Sequence, residues 1–272
     1  MRHYIDVEPN VKVFVEDIGA GQPVLMLHGW PLNHRMYEYQ SSLLPAYGFR
    51  CIMPDMRGFG QSDHPWHGYH YDRLADDVFA VIRALGLQGV RLVGFSIGGA
   101  IAIRYMSRHQ GYGVSQLILL DAAAPSLTQR PDFPYGLPAS DVTKLIEQTY
   151  RDRPQMLHDF GELFFASKIS PYFRDWTQNL GLQASLHGTA AAARTFRDEN
   201  LRPDLARIHA PTWILHGELD QIALYPLALQ MQQGIRGSRL IRFAHSGHAV
   251  FYDELELFNR TLLHILQHPQ SS

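Results

Sequence analysis

"VRLVGFSIGGAIAIRY", residues 90–105, decides how this chain is read. A short apolar run meets a longer one, and Ser96 stands at the joint between Gly94 and Gly98. A strand that turns sharply into a helix presses the residues on either side of the turn together, and glycine relieves that crowding. Gly94-Phe95-Ser96-Ile97-Gly98 has the G-x-S-x-G spacing of a nucleophile elbow, which lifts the central hydroxyl clear of the sheet edge. A serine capping the following helix gives the same local pattern. The rest of the chain has to choose between the two.

Working outward, short apolar runs alternate with amphipathic ones. "PVLMLHG" (23–29), "FRCIMPD" (49–55), "SQLILLD" (115–121), "PTWILHGELD" (211–220) and "SRLIRFAHSG" (238–247) read as strands, the first two buried on both faces. "VKVFVEDI" (11–18), after Pro9-Asn10, reads as the second arm of a hairpin. "NHRMYEYQSSLLPAYG" (33–48) reads as one helix. In "YDRLADDVFAVIRALGL" (71–87), Leu74, Val78, Val81, Ile82 and Leu85 share a helical face and Gly86 ends it. This alternation predicts a parallel sheet with helices on both sides. It breaks after Asp121. From about 140 to 200 only helical patterns appear, so 125–208 reads as a helical insertion over the sheet edge. The tail "HPQSS" (268–272) reads as frayed.

Composition narrows the function classes. The chain has 272 residues, 46% hydrophobic and 18% charged, with a formal net charge of −2, so neither nucleic acid nor a membrane surface is expected as partner. Oligomeric state stays open. Cys51 is the single cysteine, inside an apolar run, and reads as a structural thiol. "MRHYIDVEPN" lacks the apolar core of a signal peptide, and the expected location is cytoplasmic.

A serine hydroxyl needs a base within reach and an acid to orient that base. In open α/β sheets such groups gather beyond the carboxyl ends of the strands. Asp220 ends "WILHGELD", and His248 follows Ser246-Gly247 after the last strand. Glu218 and Asp121 are rival acids, and His245 is a rival base closer to its strand end. His28 and His216 each precede a glycine at a strand end and read as groups that satisfy loop backbone. His64, His67 and His70 lack the pattern of a metal site and read as a solvated loop. No metal or cofactor is expected. The N–H groups of Ile97 and Trp30 are the expected oxyanion donors, since Pro31 has none to give. "PDMRGFGQSD" (54–63), with Asp55 and Arg57, reads as a structural turn beside them. The insertion supplies Phe164, Phe165, Phe173, Trp176 and Phe196, and substrate contacts are expected from Trp30, Phe164, Trp176 and Ile222.

"HGWPLNHRMYEYQ", "DMRGFGQSDHPW", "YDRLADDV" and "LVGFSIGGAIAIRY" occur in that order. Together they resemble the small aryl-esterase group of the α/β-hydrolases, which includes the cofactor-free bacterial haloperoxidases, or perhydrolases. The resemblance implies an eight-stranded, mostly parallel sheet flanked by helices. It implies a core of 1–124 and 209–272 and a helical cap of 125–208. Ser96, Asp220 and His248 would be the triad, with Trp30 and Ile97 as oxyanion donors. The implied activity is a serine carboxylesterase working through an acyl-enzyme on small short-chain or aryl esters. Pro31 after Trp30 resembles the perhydrolase members and implies peracid formation. A lactonase, or a slow-turnover ligand sensor of the same fold, stands as the alternative. Haloalkane dehalogenases and epoxide hydrolases of this fold need Asp where this chain has Ser96, which excludes them.

Overall fold

The computed structural model describes residues 1–268, and the expected frayed tail beyond His268 lies outside them. One eight-stranded sheet runs in the order β1-β2-β4-β3-β5-β6-β7-β8. β1 (Arg2–Glu8) and β2 (Val11–Gly19) form the antiparallel hairpin, and β2 pairs antiparallel with β4 (Phe49–Pro54). From there β3 (Gln22–Leu27), β5 (Val90–Phe95), β6 (Val114–Leu120), β7 (Thr212–Gly217) and β8 (Arg239–Phe243) all run parallel to β4.

Successive side chains of a strand point to opposite faces. In β3, Leu25 and Leu27 enter one core and Val24 and Met26 the other. The apolar run is continuous because both faces are covered. α2 (Tyr71–Ala84), α3 (Ile97–Arg108) and α9 (Tyr225–Gly234) cover the first face. α11 (Leu255–Gln267) and the chain around Met36 and Tyr37 cover the second. His70 caps α2 by accepting from the Arg73 N–H, and Gly86, at φ +59°, carries the chain out of it.

Between β6 and β7 lie α4 (Ala139–Arg151), α5 (Arg153–Glu162), α6 (Pro171–Leu182), α7 (Leu186–Asp198) and α8 (Arg202–Leu205). After β8 comes the single turn α10 (Val250–Asp253).

Residues 33–48 depart from the expected single helix. They form a 3₁₀ turn (His34–Tyr37), one α turn, α1 (Glu38–Ser41), and a second 3₁₀ turn (Leu44–Tyr47). One tertiary contact and two local features account for this. The His34 N–H is taken by Asp55 at 2.8 Å. Pro45 brings no N–H to continue a ladder, and left-handed Gly48, at φ +81°, closes the segment.

Candidate active site

β3 and β5 are neighbours, yet the chain leaves them toward opposite ends of the sheet. That divergence opens a crevice at their carboxyl ends. Trp30 stands on one side of it and Ser96 on the other.

Ser96 adopts φ +53°, ψ −120°, a conformation that costs a non-glycine residue energy and persists only where its surroundings impose it. The surroundings are tight. A Cβ on Gly94 would lie 2.5 Å from the Gly98 carbonyl oxygen, and one on Gly98 would lie 2.4 Å from that of Leu27. The Ser96 N–H donates to Leu120 O at 2.9 Å, which ties the elbow to the end of β6. The side chain makes no capping hydrogen bond to α3. Serine as a helix cap therefore does not explain this residue.

His248 and Asp220 are both buried, and Nδ1 of the imidazole lies 2.8 Å from Oδ2 of the carboxylate. The other oxygen, Oδ1, accepts from the N–H groups of Ile222 (2.8 Å) and Ala223 (3.0 Å). Burial pushes Asp220 up, but His248 and His216 together outweigh it and hold the carboxyl at about 2. Asp220 is thus an oriented anion that fixes Nδ1 as the protonated nitrogen. Nε2 of His248 has no hydrogen-bond partner among the described residues. The imidazole lies against the residue before the elbow, with ring centroids 4.9 Å apart at Phe95.

The rivals are otherwise engaged. Glu218 pairs with Arg242 at 3.0 Å, and His245 is exposed. Asp121 accepts from the Gly217 N–H (2.8 Å) and from the Val250 N–H (3.1 Å), so it stitches the acid loop to the base loop. Burial pushes its pKa up. His216 Nε2 meets Ala223 O at 2.6 Å. Burial opposes its cation, but Asp220 and Asp121 outweigh that and raise it. His28 donates from Nδ1 to Gly29 O and accepts the Met56 N–H at Nε2, each at 2.9 Å. Burial pushes it down to about 4, so it is neutral. Both strand-end histidines therefore bond loop backbone.

Arg57 and Asp55 do not pair with each other. Arg57 grips Asp77 with two bonds of 2.6 and 2.7 Å and reaches Glu8 at 2.8 Å. Asp55 gathers the N–H groups of His34 and Gln61. Cys51 is buried, and burial pushes its thiol up to about 12, an unreactive state.

Asp121, His216 and Asp220 each bring one ligand-type atom within 4.8 Å of the others. Their oxygens already accept backbone N–H groups or His248, and His216 Nε2 is held by Ala223. A cation there would have to compete with those bonds for all four carboxylate oxygens, with His216 Nδ1 the one uncommitted donor atom of the three side chains among the described residues, so the donor set does not fit a metal.

Trp30 is anchored by its ring N–H on Thr189 O at 2.9 Å and packs edge-on against Phe160 (5.0 Å) and Phe196 (5.6 Å). The backbone N–H groups of Trp30 and Ile97 have no acceptor among the described residues. Trp30, Ser96, Leu145, Phe160, Phe196 and Ile222 line an apolar cavity of about 40 Å³. Phe164 is not part of that wall. It packs perpendicular to His248 at 5.1 Å and lines a second apolar cavity, about 30 Å³, with Phe160 and Pro31. Trp176 lines neither and packs on Phe173 at 5.2 Å. Sequence reasoning missed Phe160, Val142 and Leu145. Their helical period was visible, but which face looks at Ser96 is decided by how α4 and α5 dock.

A family model described as alpha/beta hydrolase fold matches residues 22–255. The AB hydrolase superfamily protein YisY of Bacillus subtilis is 54% identical over 95% of this chain and 97% of its own length. The bifunctional esterase/perhydrolase DCH of Acinetobacter calcoaceticus is 31% identical over 96% of this chain and 98% of its own. The solved esterase EaEST of Exiguobacterium antarcticum superposes with a TM-score of 0.97 at 47% identity, covering 98% of this chain and all of that one. The chain belongs to the α/β-hydrolase family, within its esterase and cofactor-free haloperoxidase group. It is a hydrolase acting on esters.

Proposed function

We propose that this enzyme is a serine carboxylesterase with Ser96 as nucleophile, His248 as base and Asp220 as the orienting acid. The observation that carries this reading is the buried 2.8 Å His248–Asp220 bond beside a backbone-strained serine. Ser96 Oγ attacks the acyl carbon while His248 Nε2 takes its proton. The oxyanion falls to the two free N–H groups, of Trp30 and Ile97, and removing one such donor typically costs about 3 kcal/mol in the barrier. His248 then gives the proton to the leaving alcohol, and water hydrolyses the acyl-enzyme by the same steps.

The helices of 125–208 act as a cap that selects the acyl group. A water needs roughly 10–15 Å³ of accessible space, so the cavity of about 40 Å³ favours acyl chains of a few carbons. Short-chain and aryl esters such as p-nitrophenyl acetate are the proposed substrates. The test is Ser96→Ala on that ester. Loss of a triad member costs about four decades or more, and retention of activity within about tenfold would sink the assignment.

Pro31 favours a second activity. It follows the proposed oxyanion residue and lines the neighbouring cavity, and a relative bears the name esterase/perhydrolase. Hydrogen peroxide would replace water as the attacker of the acyl-enzyme and leave as the peracid. Bromination of monochlorodimedone in acetate, peroxide and bromide measures this, because the peracid oxidises bromide to the brominating hypobromite, and a zero rate with an active esterase removes the claim.

A further inference from the structure

Asp253, at the end of α10, belongs to no part of the chemistry above, yet both its oxygens are fully used. Oδ2 accepts the N–H of Gly247 at 2.7 Å and that of Ala166 at 2.9 Å. Oδ1 accepts the N–H of Ser167 at 3.0 Å and its hydroxyl at 2.6 Å. Gly247 immediately precedes His248. Ala166 and Ser167 lie between α5 and α6, directly after Phe164 and Phe165. A second strut runs beside this clasp, from the Ala249 N–H to Phe164 O at 3.0 Å. The two segments press flat together. A Cβ on Gly247 would meet Ala166 N at 2.9 Å.

Of the residues flanking His248, Ala249 is thus bonded directly to residues 164–167 and Gly247 is tied to the same stretch through the Asp253 carboxylate, while the Phe164 ring abuts the imidazole. Hydrogen bonds to a carboxylate are about twice as strong as neutral ones. A charged clasp one residue from the base therefore holds the base loop more firmly than a neutral contact would.

We propose that Asp253 is a positioning residue for the base: it fixes the His248 loop against residues 164–167, so that Nε2 is held at the nucleophile. The proposal rests on His248 being the base. It predicts a loss in the chemical step rather than in substrate binding, because Asp253 lines neither apolar cavity.

Asp253→Asn keeps the shape but turns one acceptor into an amide that faces N–H donors. We expect kcat for p-nitrophenyl acetate to fall about tenfold or more with KM within about twofold, since a small misplacement of a catalytic group is costly. Ser167→Ala removes only the 2.6 Å hydroxyl bond and should lower kcat about two- to threefold while lowering the melting temperature by no more than a few degrees. The Ser167 variant stands by itself should the Asp253 variant fail to fold. Folded variants with wild-type kcat, or a loss carried wholly by KM, overturn the proposal. An active Ser96→Ala enzyme would instead overturn the triad reading on which the clasp depends, so the two failures are distinguishable.

Discussion

The acid–base side of the crevice and the acyl side are built by different physics. Asp121, His216, Asp220 and His248 are all buried; backbone groups hold the first three at 2.6–3.1 Å, and the Asp220 carboxylate holds His248 at 2.8 Å. Trp30, Phe160 and Phe196 meet as ring edges 5–6 Å apart around a small void. Directional bonds define one geometry and fail abruptly when a partner is lost. Apolar contacts tolerate exchange as long as volume is kept. The first side suits chemistry, which needs fixed atoms, and the second suits selection among similar acyl groups.

Asp220→Asn attacks the directional side most directly. It keeps the volume but removes the anion that fixes the Nδ1–H tautomer, and kcat should fall by about three to four decades. A loss below about tenfold in steady-state hydrolysis would break the contrast.

His28 gives the next effect. It is held near 4 when folded against 6.5 in the free state, so the unfolded chain binds more protons between those values. Its contribution to stability is therefore full above about pH 6.5 and erodes as pH falls toward 4, by about 3 kcal/mol in all. Denaturant unfolding across that window measures it, and His28→Gln should flatten the slope. Asp220, held at about 2, adds a loss of the same sign in a lower window: its share persists above 3.8 and is lost as pH falls from there through about 2.

The smallest effect belongs to the apolar side. Leu145→Ala widens the cavity and should raise hexanoate hydrolysis relative to acetate about three- to tenfold. An unchanged ratio in a p-nitrophenyl ester series would mean that Leu145 does not bound the acyl site.

The directional side was legible in the sequence for the same reason that it is rigid. Ser96, Asp220 and His248 sit at strand ends, beside glycines that the packing requires, so local pattern carries their position. The central strands β3, β4, β5, β6 and β7 were legible because burial on both faces leaves apolar runs, whereas the count of eight came from the family resemblance. Residues 33–48 were not, because the Asp55 carboxylate that takes the His34 N–H is a tertiary partner. Arg57 illustrates the same limit. Its acids, Glu8 and Asp77, lie 49 and 20 residues away. Phe160 and Leu145 escaped because helical periodicity shows that a face is apolar, not what the face looks upon. Phe164 was named as a pocket residue, and its place against the His248 ring could come only from the docked structure.

The crowding around Gly94 and Gly98 has an evolutionary consequence. Both glycines are demanded by the approach of backbone to backbone, and neither demand refers to an ester. A descendant that stopped turning over substrate would still be held to them by selection for folding. The two glycines of the signature would therefore outlast the activity it advertises, and they testify to the shape of the turn. Under the proposed triad, testimony to catalysis would come from side chains that no backbone crowding demands, the Ser96 hydroxyl and the imidazole at 248.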